Sequence, residues 1–347
     1  MAKFQPLVSL KGNKMTKFDS MPGSTAAITA APGVVQECRL GPPEHHKGPS
    51  VFLDYDQLEL DAAYDQTYYE PLIRQTYARL ASNSEAVRTR LGAPRQVDYG
   101  PTEIEKLDIF RTDRAKAPIF VFIHGGNWYA LAASNFGYAA EMFTKAGAHY
   151  VVPDFTSVTD VGGDLTVIAA QVRRAIAWVY KNAATFDGDP DRIYIGGHSS
   201  GGHLCGVALV TDWEKDFDVP STIVKGGLCT SGIYELNPVR LSWRRTYVNF
   251  TDVMVESMSP QRHVDKIVAP VIVAYGNLET PEFQRQSREF AAALKTGDGR
   301  QACAVDRSKE LHAFSNVRVF RPSLRSLWPY RVSDDRLGAS VRPSIIW

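Results

Sequence analysis

A serine framed by glycines is the strongest candidate for chemistry in this sequence of 347 residues. The run Gly197-His198-Ser199-Ser200-Gly201 follows an apolar stretch at residues 193–195 and precedes a helix-favouring segment at 202–210. That context is typical of a nucleophile elbow, a tight strand-to-helix turn whose flanking residues must be small. The positive end of the helix then favours negative charge that develops beside the serine. We predict Ser199 as the nucleophile of an acyl transfer; the alternative is a glycine-rich turn with a solvated serine.

A second motif has the composition of an oxyanion loop. His124-Gly125-Gly126-Asn127-Trp128 directly follows a continuous apolar run at residues 119–123. Backbone N–H groups after this strand face the elbow in such enzymes, and glycines let the main chain approach a substrate closely. By position, the N–H groups of Gly126, Asn127 and Ser200 are the predicted donors. His124 is interpreted as a residue that fixes the loop rather than as a base.

A serine hydroxyl needs a base near neutral pH, because it is a weak nucleophile. The sequence has eight histidines. Five lie in the N-terminal stretch, beside the nucleophile, or in a segment predicted to cap the site: His45, His46, His198, His203 and His263. His312 follows the last predicted strand, where the chain order serine, acid, histidine requires the base. We therefore predict His312 as the base; the alternative is a histidine in a surface loop.

The acid should follow the preceding strand, at residues 270–275, and two glutamates do so. Glu279 lies in the loop at the strand end, where it can reach an imidazole. Glu282 falls in the first turn of the next helix, where the helix dipole already explains a carboxylate. We favour Glu279 over Glu282. Its role would be to hold the imidazole tautomer and stabilise the imidazolium.

Strand and helix patterns alternate along most of the chain. Apolar runs predict strands, and amphipathic spacing predicts helices between them. The predicted strands are 107–110, 119–123, 150–152, 193–195, 223–229, 270–275 and 302–305, and the predicted helices include 136–146, one after Asp164, 202–210 and 281–296. Residues 54–91 suggest helices broken at Pro71. This alternation predicts an α/β fold with a mostly parallel central sheet and helices on both faces. The loops at the strands' carboxyl ends should then share one edge, where an active site belongs.

Charge and cysteine usage exclude several classes of partner. Lys and Arg total 39 against 38 for Asp and Glu, so no global field favours nucleic acid or a membrane surface. The four cysteines show no CxxC spacing, which argues against a zinc site or a disulfide framework. No apolar run approaches the roughly 20 residues of a membrane-spanning helix. We expect a cytoplasmic protein with reduced thiols and a small-molecule substrate, and no metal or organic cofactor.

The two ends differ in character from the middle of the chain. Residues 1–53 are predicted as a flexible N-terminal arm, rich in Gly, Pro and Ser. Residues 54–316 are predicted as the catalytic domain, with a cap segment at about 234–265. Residues 317–347 form an Arg-rich C-terminal extension, whose default interpretation is a solvated basic tail. The alternatives are a frameshifted end and a segment that docks on a partner subunit, which would give a homodimer.

With these motifs in view, the chain resembles kynurenine formamidase (arylformamidase) and related esterases and amidases of the α/β-hydrolase superfamily. The resemblance extends from about residue 61 to 314. It rests on runs of matching residues at 61–65, 99–101, 107–110, 124–128, 197–204, 211–213, 231–236, 259–260 and 281–287. It implies the α/β-hydrolase fold with a small cap, the triad Ser199, Glu279 and His312, and no cofactor. Asn127 and Ser200 depart from it, since the family usually has an aromatic residue and an alanine there.

Several aromatic residues near predicted loop ends suggest how a substrate is held. Trp128, Tyr129, Tyr234 and Trp243 could line a cleft for an aryl amide or aryl ester, and the alternative for each is a packing role. Three functional classes follow. The first is a small-acyl amidase acting on N-formylkynurenine or a similar aryl amide. The second is a carboxylesterase or lactamase with the same machinery, and the third is a non-catalytic binding protein on this fold.

Overall fold

A mixed sheet of eight strands forms the centre of the part of the chain that the structure describes. The structure, a computed structural model, describes residues 41–70, 72–276, 278–295 and 302–305. Within those ranges the strands are β1 (Arg95–Asp98), β2 (Lys106–Phe110), β3 (Ala117–Ile123), β4 (His149–Pro153), β5 (Gly188–His198), β6 (Val224–Thr230), β7 (Val271–Ala274) and β8 (Ala302–Val305). Their order in the sheet is β1-β2-β4-β3-β5-β6-β7-β8.

Most of the sheet is parallel, as predicted. The pairs from β4 through β3, β5, β6 and β7 to β8 run parallel, whereas β1 pairs with β2, and β2 with β4, in antiparallel fashion at one edge. Strand β1 escapes prediction because Arg95-Gln96-Val97-Asp98 is polar and largely exposed, so it gives no apolar run. Strand β5 begins earlier than the predicted strand at 193–195, because Gly188 already pairs with Ala117.

Helices connect and cover these strands. In the described chain they are α1 (Gln57–Ala63), α2 (Ile73–Leu91), α3 (Ala140–Lys145), α4 (Leu165–Asn182), α5 (Ser200–Leu209), α6 (Trp213–Phe217), α7 (Asn237–Leu241), α8 (Asp252–Ser257) and α9 (Pro281–Lys295). Helix α4 follows Asp164 as predicted, and Asp164 caps it, since its carboxylate accepts a hydrogen bond from the Thr166 N–H at 2.8 Å. The helix predicted at 136–146 is a 3₁₀ segment, Ala133–Ala139, that continues into α3.

Strand β3 shows why the sheet is buried on both faces. All seven of its residues are buried. Ile119 and Val121 point into one apolar cluster, whose members include Ile168 and Val172 of α4. Phe120 and Phe122 point into a second cluster with residues of α2 and α3. Because alternate side chains of a strand face opposite sides, the continuous apolar run indicates that helices cover both faces of the sheet.

A small helical region follows β6 and occupies the predicted cap segment. It comprises α7, a 3₁₀ turn at Trp243–Thr246, α8 and a 3₁₀ segment at Pro260–Lys266. Some of its short helical segments begin at capping residues. Thr251, for example, caps α8, because its hydroxyl accepts a hydrogen bond from the Met254 N–H at 3.1 Å.

Only residues 41–53 of the predicted arm lie in the described ranges, and they contact the region around α1. The Gly41 N–H donates to the Tyr68 carbonyl at 2.9 Å, and His45 Nε2 lies 2.7 Å from the Asp56 carboxylate. The predicted C-terminal extension falls outside the described ranges. No helix in the described ranges combines the length and apolar character needed to cross a membrane.

Candidate active site

Ser199 lies at the junction of β5 and α5 in a strained backbone conformation. Its φ is 57° and its ψ is −123°, a region that non-glycine residues rarely adopt. The Ser199 N–H donates to the Thr230 carbonyl of β6 at 2.9 Å, and its carbonyl accepts from the His203 N–H at 3.1 Å. These bonds hold the turn, which leaves Ser199 half-buried at the carboxyl edge of the sheet.

The glycines around Ser199 are required by close backbone contacts. A Cβ atom on Gly197 would lie 2.1 Å from the Gly201 carbonyl oxygen, and one on Gly201 would lie 2.1 Å from the Ile123 carbonyl oxygen. Neither position can hold a larger residue without moving the main chain. The small-residue rule used in the sequence prediction therefore has a direct steric cause here.

The loop after β3 packs directly against this turn. A Cβ on Gly125 would lie 2.7 Å from the His198 carbonyl oxygen and 3.3 Å from Ser199 Cβ. Three successive residues of the loop have positive φ, namely Gly126 at 115°, Asn127 at 56° and Trp128 at 64°. The Gly126 carbonyl turns inward and accepts the N–H groups of the third and fourth residues after it, at 3.0 and 2.7 Å.

This geometry leaves three backbone donors at the site. Within the described chain, no backbone acceptor is bonded to the N–H groups of Gly126, Asn127 or Ser200, the three predicted oxyanion donors. Free, fixed N–H groups at a helix start can stabilise a developing oxyanion. Asparagine is also among the non-glycine residues best tolerated at positive φ, which explains why an asparagine can occupy position 127. Its side chain is hydrogen-bonded to Tyr129.

Glu279 is buried at the carboxyl end of β7, in the loop that leads to α9. Its Oε1 accepts hydrogen bonds from the Ser231 hydroxyl and, at 3.0 Å, from the Gly276 N–H. Its Oε2 is equally buried and has no partner among the described residues. Burial raises the pKa of the Glu279 carboxyl to about 7, while the two hydrogen bonds favour its charged form.

Glu282 is engaged elsewhere. Arg285 donates to both of its carboxylate oxygens at 2.7 Å, and the Tyr64 hydroxyl donates to Oε2 at 2.7 Å. This fully buried group ties α9 to α1 and has no vacant oxygen facing the elbow. The structure therefore favours Glu279 over Glu282 as the residue able to receive a further donor.

Ser231 is a site residue that the sequence interpretation missed. It directly follows β6, is buried, and has a φ of 51°. Its N–H donates to the Ala274 carbonyl at 2.7 Å, which holds its hydroxyl beside Glu279. The available signal was positional, since a polar residue at the carboxyl end of a parallel strand lies at the active edge.

Two of the described histidines near the serine are poor bases. Burial lowers the pKa of both His198 and His203 to about 4. His124 is buried, its ring stacks on Phe155 at 4.2 Å, and its Nε2 lies 3.3 Å from an Asp154 carboxylate oxygen. That placement fits the loop-fixing role predicted for it. His312 lies outside the described residues.

The four aromatic residues predicted to contact substrate divide into two pairs. Trp128 and Tyr234 are 2% and 1% exposed, and the Tyr234 ring stacks on Phe290 at 4.2 Å, so both pack in the core instead of lining an open cleft. Tyr129 and Trp243 are half-buried. Each lies against Tyr247 of the cap, with ring centroids 5.0 and 5.3 Å apart, so these two remain candidates for the cleft.

A cavity of about 780 Å³ adjoins this aromatic group. It lies between the loop after β4, at residues 159–163, and the cap, where Tyr247, Asn249 and Arg245 contribute to its wall. A smaller cavity of about 280 Å³ is lined by residues before β6 and β7, away from the edge that carries Ser199.

One group of side chains has the composition of a metal site. His45, Asp56 and Glu59 bring ligand atoms within 4.8 Å of one another. Asp56 and Glu59, however, form the capping box of α1, and Lys47 lies 3.1 Å from the Glu59 carboxylate. The charges are thus already compensated by the helix start and a lysine, which explains the cluster without an ion.

The candidate site combines a strained serine between β5 and α5, a glycine loop packed on it, and a buried carboxylate at the end of β7. This is the arrangement expected of an α/β-hydrolase. A sequence-family model described as BD-FAE matches residues 107–226. A kynurenine formamidase of Danio rerio is 29% identical over 251 residues, covering 69% of this chain and 83% of the relative. Esterase LipQ of Mycobacterium tuberculosis is 27% identical over 247 residues, covering 65% of this chain and 58% of the relative.

A solved structure shares the fold. The crystal structure of a putative thioesterase from Silicibacter sp. superposes with a TM-score of 0.63 at 24% identity, covering 72% of this chain and 91% of that one. The chain is thus similar to arylformamidase-like esterases and has the α/β-hydrolase fold. It is a hydrolase of the esterase/amidase type.

Proposed function

We propose that this chain cleaves an amide or ester bond of a small aryl substrate through Ser199, His312 and Glu279, by way of an acyl-enzyme. N-formylkynurenine or a related aryl amide is the proposed substrate. The observation that carries the proposal is the backbone of Ser199. A φ of 57° at this half-buried serine costs conformational free energy. Strain of this kind clusters at functional sites, where a side chain must be held in one position.

The proposed reaction has two halves. His312 takes the Ser199 hydroxyl proton as Oγ attacks the substrate carbonyl carbon, and the N–H groups of Ser200, Gly126 and Asn127 bind the resulting oxyanion. The tetrahedral intermediate then expels the amine or alcohol, which receives the proton from His312. Water repeats the sequence, giving the free acid and restoring Ser199.

The acid and base assignments have separate support. Glu279 has one buried carboxylate oxygen without a partner among the described residues, which can accept from an imidazole N–H. His198 and His203, the histidines adjacent to Ser199 in sequence, have pKa values lowered to about 4, so they would remain neutral and weakly basic. A base with a pKa nearer neutrality must therefore come from another residue, and chain order selects His312.

The substrate class rests on two kinds of support. The relative from Danio rerio is a kynurenine formamidase, and the match covers 69% of this chain and 83% of the relative. The half-buried rings of Tyr129 and Trp243 both contact Tyr247, and this aromatic group is the proposed surface for an aryl substrate. An aromatic leaving group suits this surface better than a long alkyl chain does.

The alternative proposal is a carboxylesterase or lactamase that uses the same residues. It is favoured by the similarity to esterase LipQ and by Asn127, where the formamidase pattern has an aromatic residue. Parallel assays on N-formylkynurenine and on short p-nitrophenyl esters separate the two. We expect the higher kcat/KM on N-formylkynurenine. A clear preference for the esters would favour the carboxylesterase, and an enzyme inactive on both would contradict the amide and ester proposals together.

A further inference from the structure

The indole of Trp128 is held from two sides, although its backbone belongs to the loop that carries the candidate oxyanion donors. Its Nε1–H donates to His203 Nδ1 at 3.2 Å, and the two rings meet edge-on with centroids 5.3 Å apart. The guanidinium carbon of Arg244, from the cap, lies 5.3 Å from the indole centroid. Both Trp128 and His203 are almost completely buried.

The hydrogen bonds of His203 fix its tautomer. Because the Trp128 indole can only donate, His203 Nδ1 must be the acceptor and carry no proton. His203 Nε2 lies 2.8 Å from the Met258 carbonyl oxygen, which can only accept, so the proton lies on Nε2. Burial lowers the pKa of His203 to about 4, which keeps this neutral form near neutral pH. The result is one directed chain from Trp128 through His203 to Met258.

His203 lies on the first turn of α5, and its own N–H donates to the Ser199 carbonyl at 3.1 Å. These hydrogen bonds therefore connect the turn that carries Ser199 to Trp128, the residue that follows Asn127. Asn127 and Trp128 both have positive φ, an arrangement that relaxes unless neighbouring contacts hold it. We propose that the Trp128–His203 hydrogen bond is a positioning device that sets the Asn127 N–H at its distance from the carbonyl attacked by Ser199.

This proposal rests on the proposed function, since it assigns a role within the same site. Neither Trp128 nor His203 touches the substrate, and both act through the backbone of the oxyanion loop. A displacement of about 1 Å at an active site can cost 10²-fold in rate, comparable to the loss of one oxyanion donor. A contact that only stabilised the fold would leave turnover of the folded enzyme unchanged.

Two substitutions at His203 test the acceptor directly. His203→Leu removes the acceptor, whereas His203→Asn retains an oxygen near the position of Nδ1. We expect kcat per fluorophosphonate-titrated serine to fall about 10- to 100-fold in His203→Leu, with KM little changed, and to recover substantially in His203→Asn. Titration of the reactive serine confines the comparison to folded enzyme.

A second comparison uses the donor. Trp128→Phe removes the same hydrogen bond, so the double variant Trp128→Phe/His203→Leu should be little worse in kcat than His203→Leu alone. Tyr150→Phe is the matched control, because the Tyr150 hydroxyl donates a buried hydrogen bond to the Phe136 carbonyl at 3.0 Å away from the site. It should lower the thermal midpoint and keep the wild-type kcat.

The outcomes distinguish the positioning role of the Trp128–His203 hydrogen bond from the proposed function. An active wild type, with kcat unchanged in His203→Leu and Trp128→Phe, would overturn the positioning role and leave the proposed function intact. A kcat equally low in His203→Asn and His203→Leu would also overturn it, because the acceptor would then not matter. A wild type that neither hydrolyses the substrate panel nor reacts with the fluorophosphonate would overturn the proposed function and this inference with it.

Discussion

The Ser231 hydroxyl donates a hydrogen bond to Oε1 of Glu279, while the buried Oε2 of the same carboxylate has no partner among the described residues. The two carboxylate oxygens thus differ in their hydrogen bonding. One is fixed by Ser231 and by the Gly276 N–H, which sets the orientation of the carboxylate. The other is available to accept a hydrogen bond, and an imidazole N–H is the donor that the proposed triad supplies.

The two neighbouring glutamates should separate activity from stability. Glu279→Gln should lower kcat by on the order of 10⁴-fold, since a neutral amide favours the wrong imidazole tautomer. Glu282→Gln should lower the thermal midpoint, because it weakens the buried Glu282–Arg285 pair, and should keep kcat within a few-fold. Steady-state kinetics and thermal unfolding of both variants check this. The reverse pattern would identify Glu282 as the acid.

Ser231→Ala should change the pH dependence of hydrolysis. The Ser231 hydroxyl favours the charged form of Glu279, so its removal raises the pKa of that carboxyl further. The carboxylate would then become protonated at higher pH, and the acidic limb of kcat/KM should move upward. A kcat/KM profile between about pH 5 and 9 measures the shift. A limb that stays in place or moves to lower pH would contradict this role for Ser231.

Glu279 should also make the fold less stable at high pH. Its folded-state pKa is raised to about 7 by burial, so its stabilising contribution is complete below the ordinary carboxyl pKa and is lost as the pH rises through 7. Glu279→Gln cannot acquire that buried charge. We expect its thermal midpoint relative to wild type to increase as the pH is raised from about 5 to 8. A constant or decreasing difference would show that the charged carboxylate is better compensated than its contacts indicate.

Gly125→Ala should disturb the site through the backbone. Its Cβ would lie 2.7 Å from the His198 carbonyl oxygen, so the oxyanion loop must move away from Ser199. We expect kcat to fall by about 10²-fold, with a smaller change in KM. Gly48→Ala is the control, because its Cβ would meet only ordinary contacts at 3.7 Å. Equal kcat values in the two variants would argue against a close fit between the loop and the turn.

The sequence predicted the sheet because strands depend on local patterns, and the same patterns placed the candidate site at the carboxyl edge of that sheet. Apolar runs such as residues 119–123 and the two glycine motifs report burial and tight turns directly. The antiparallel strand β1 was missed, since it is polar and defined by its pairing with β2. Trp128 and Tyr234 were misjudged for a related reason: aromatic type does not reveal whether a ring faces a cleft or another ring. The Ser231–Glu279 and Trp128–His203 hydrogen bonds join residues that are distant in sequence, so only the structure shows that they are in contact.

The most direct measurement concerns Ser199 itself. Wild-type protein and Ser199→Ala are treated with a fluorophosphonate probe and assayed on N-formylkynurenine and p-nitrophenyl esters, with circular dichroism to verify folding. The account predicts that the wild type is labelled and active, and that folded Ser199→Ala is unlabelled, with kcat lowered by on the order of 10⁶-fold. Labelling and hydrolysis at wild-type levels in folded Ser199→Ala would contradict it.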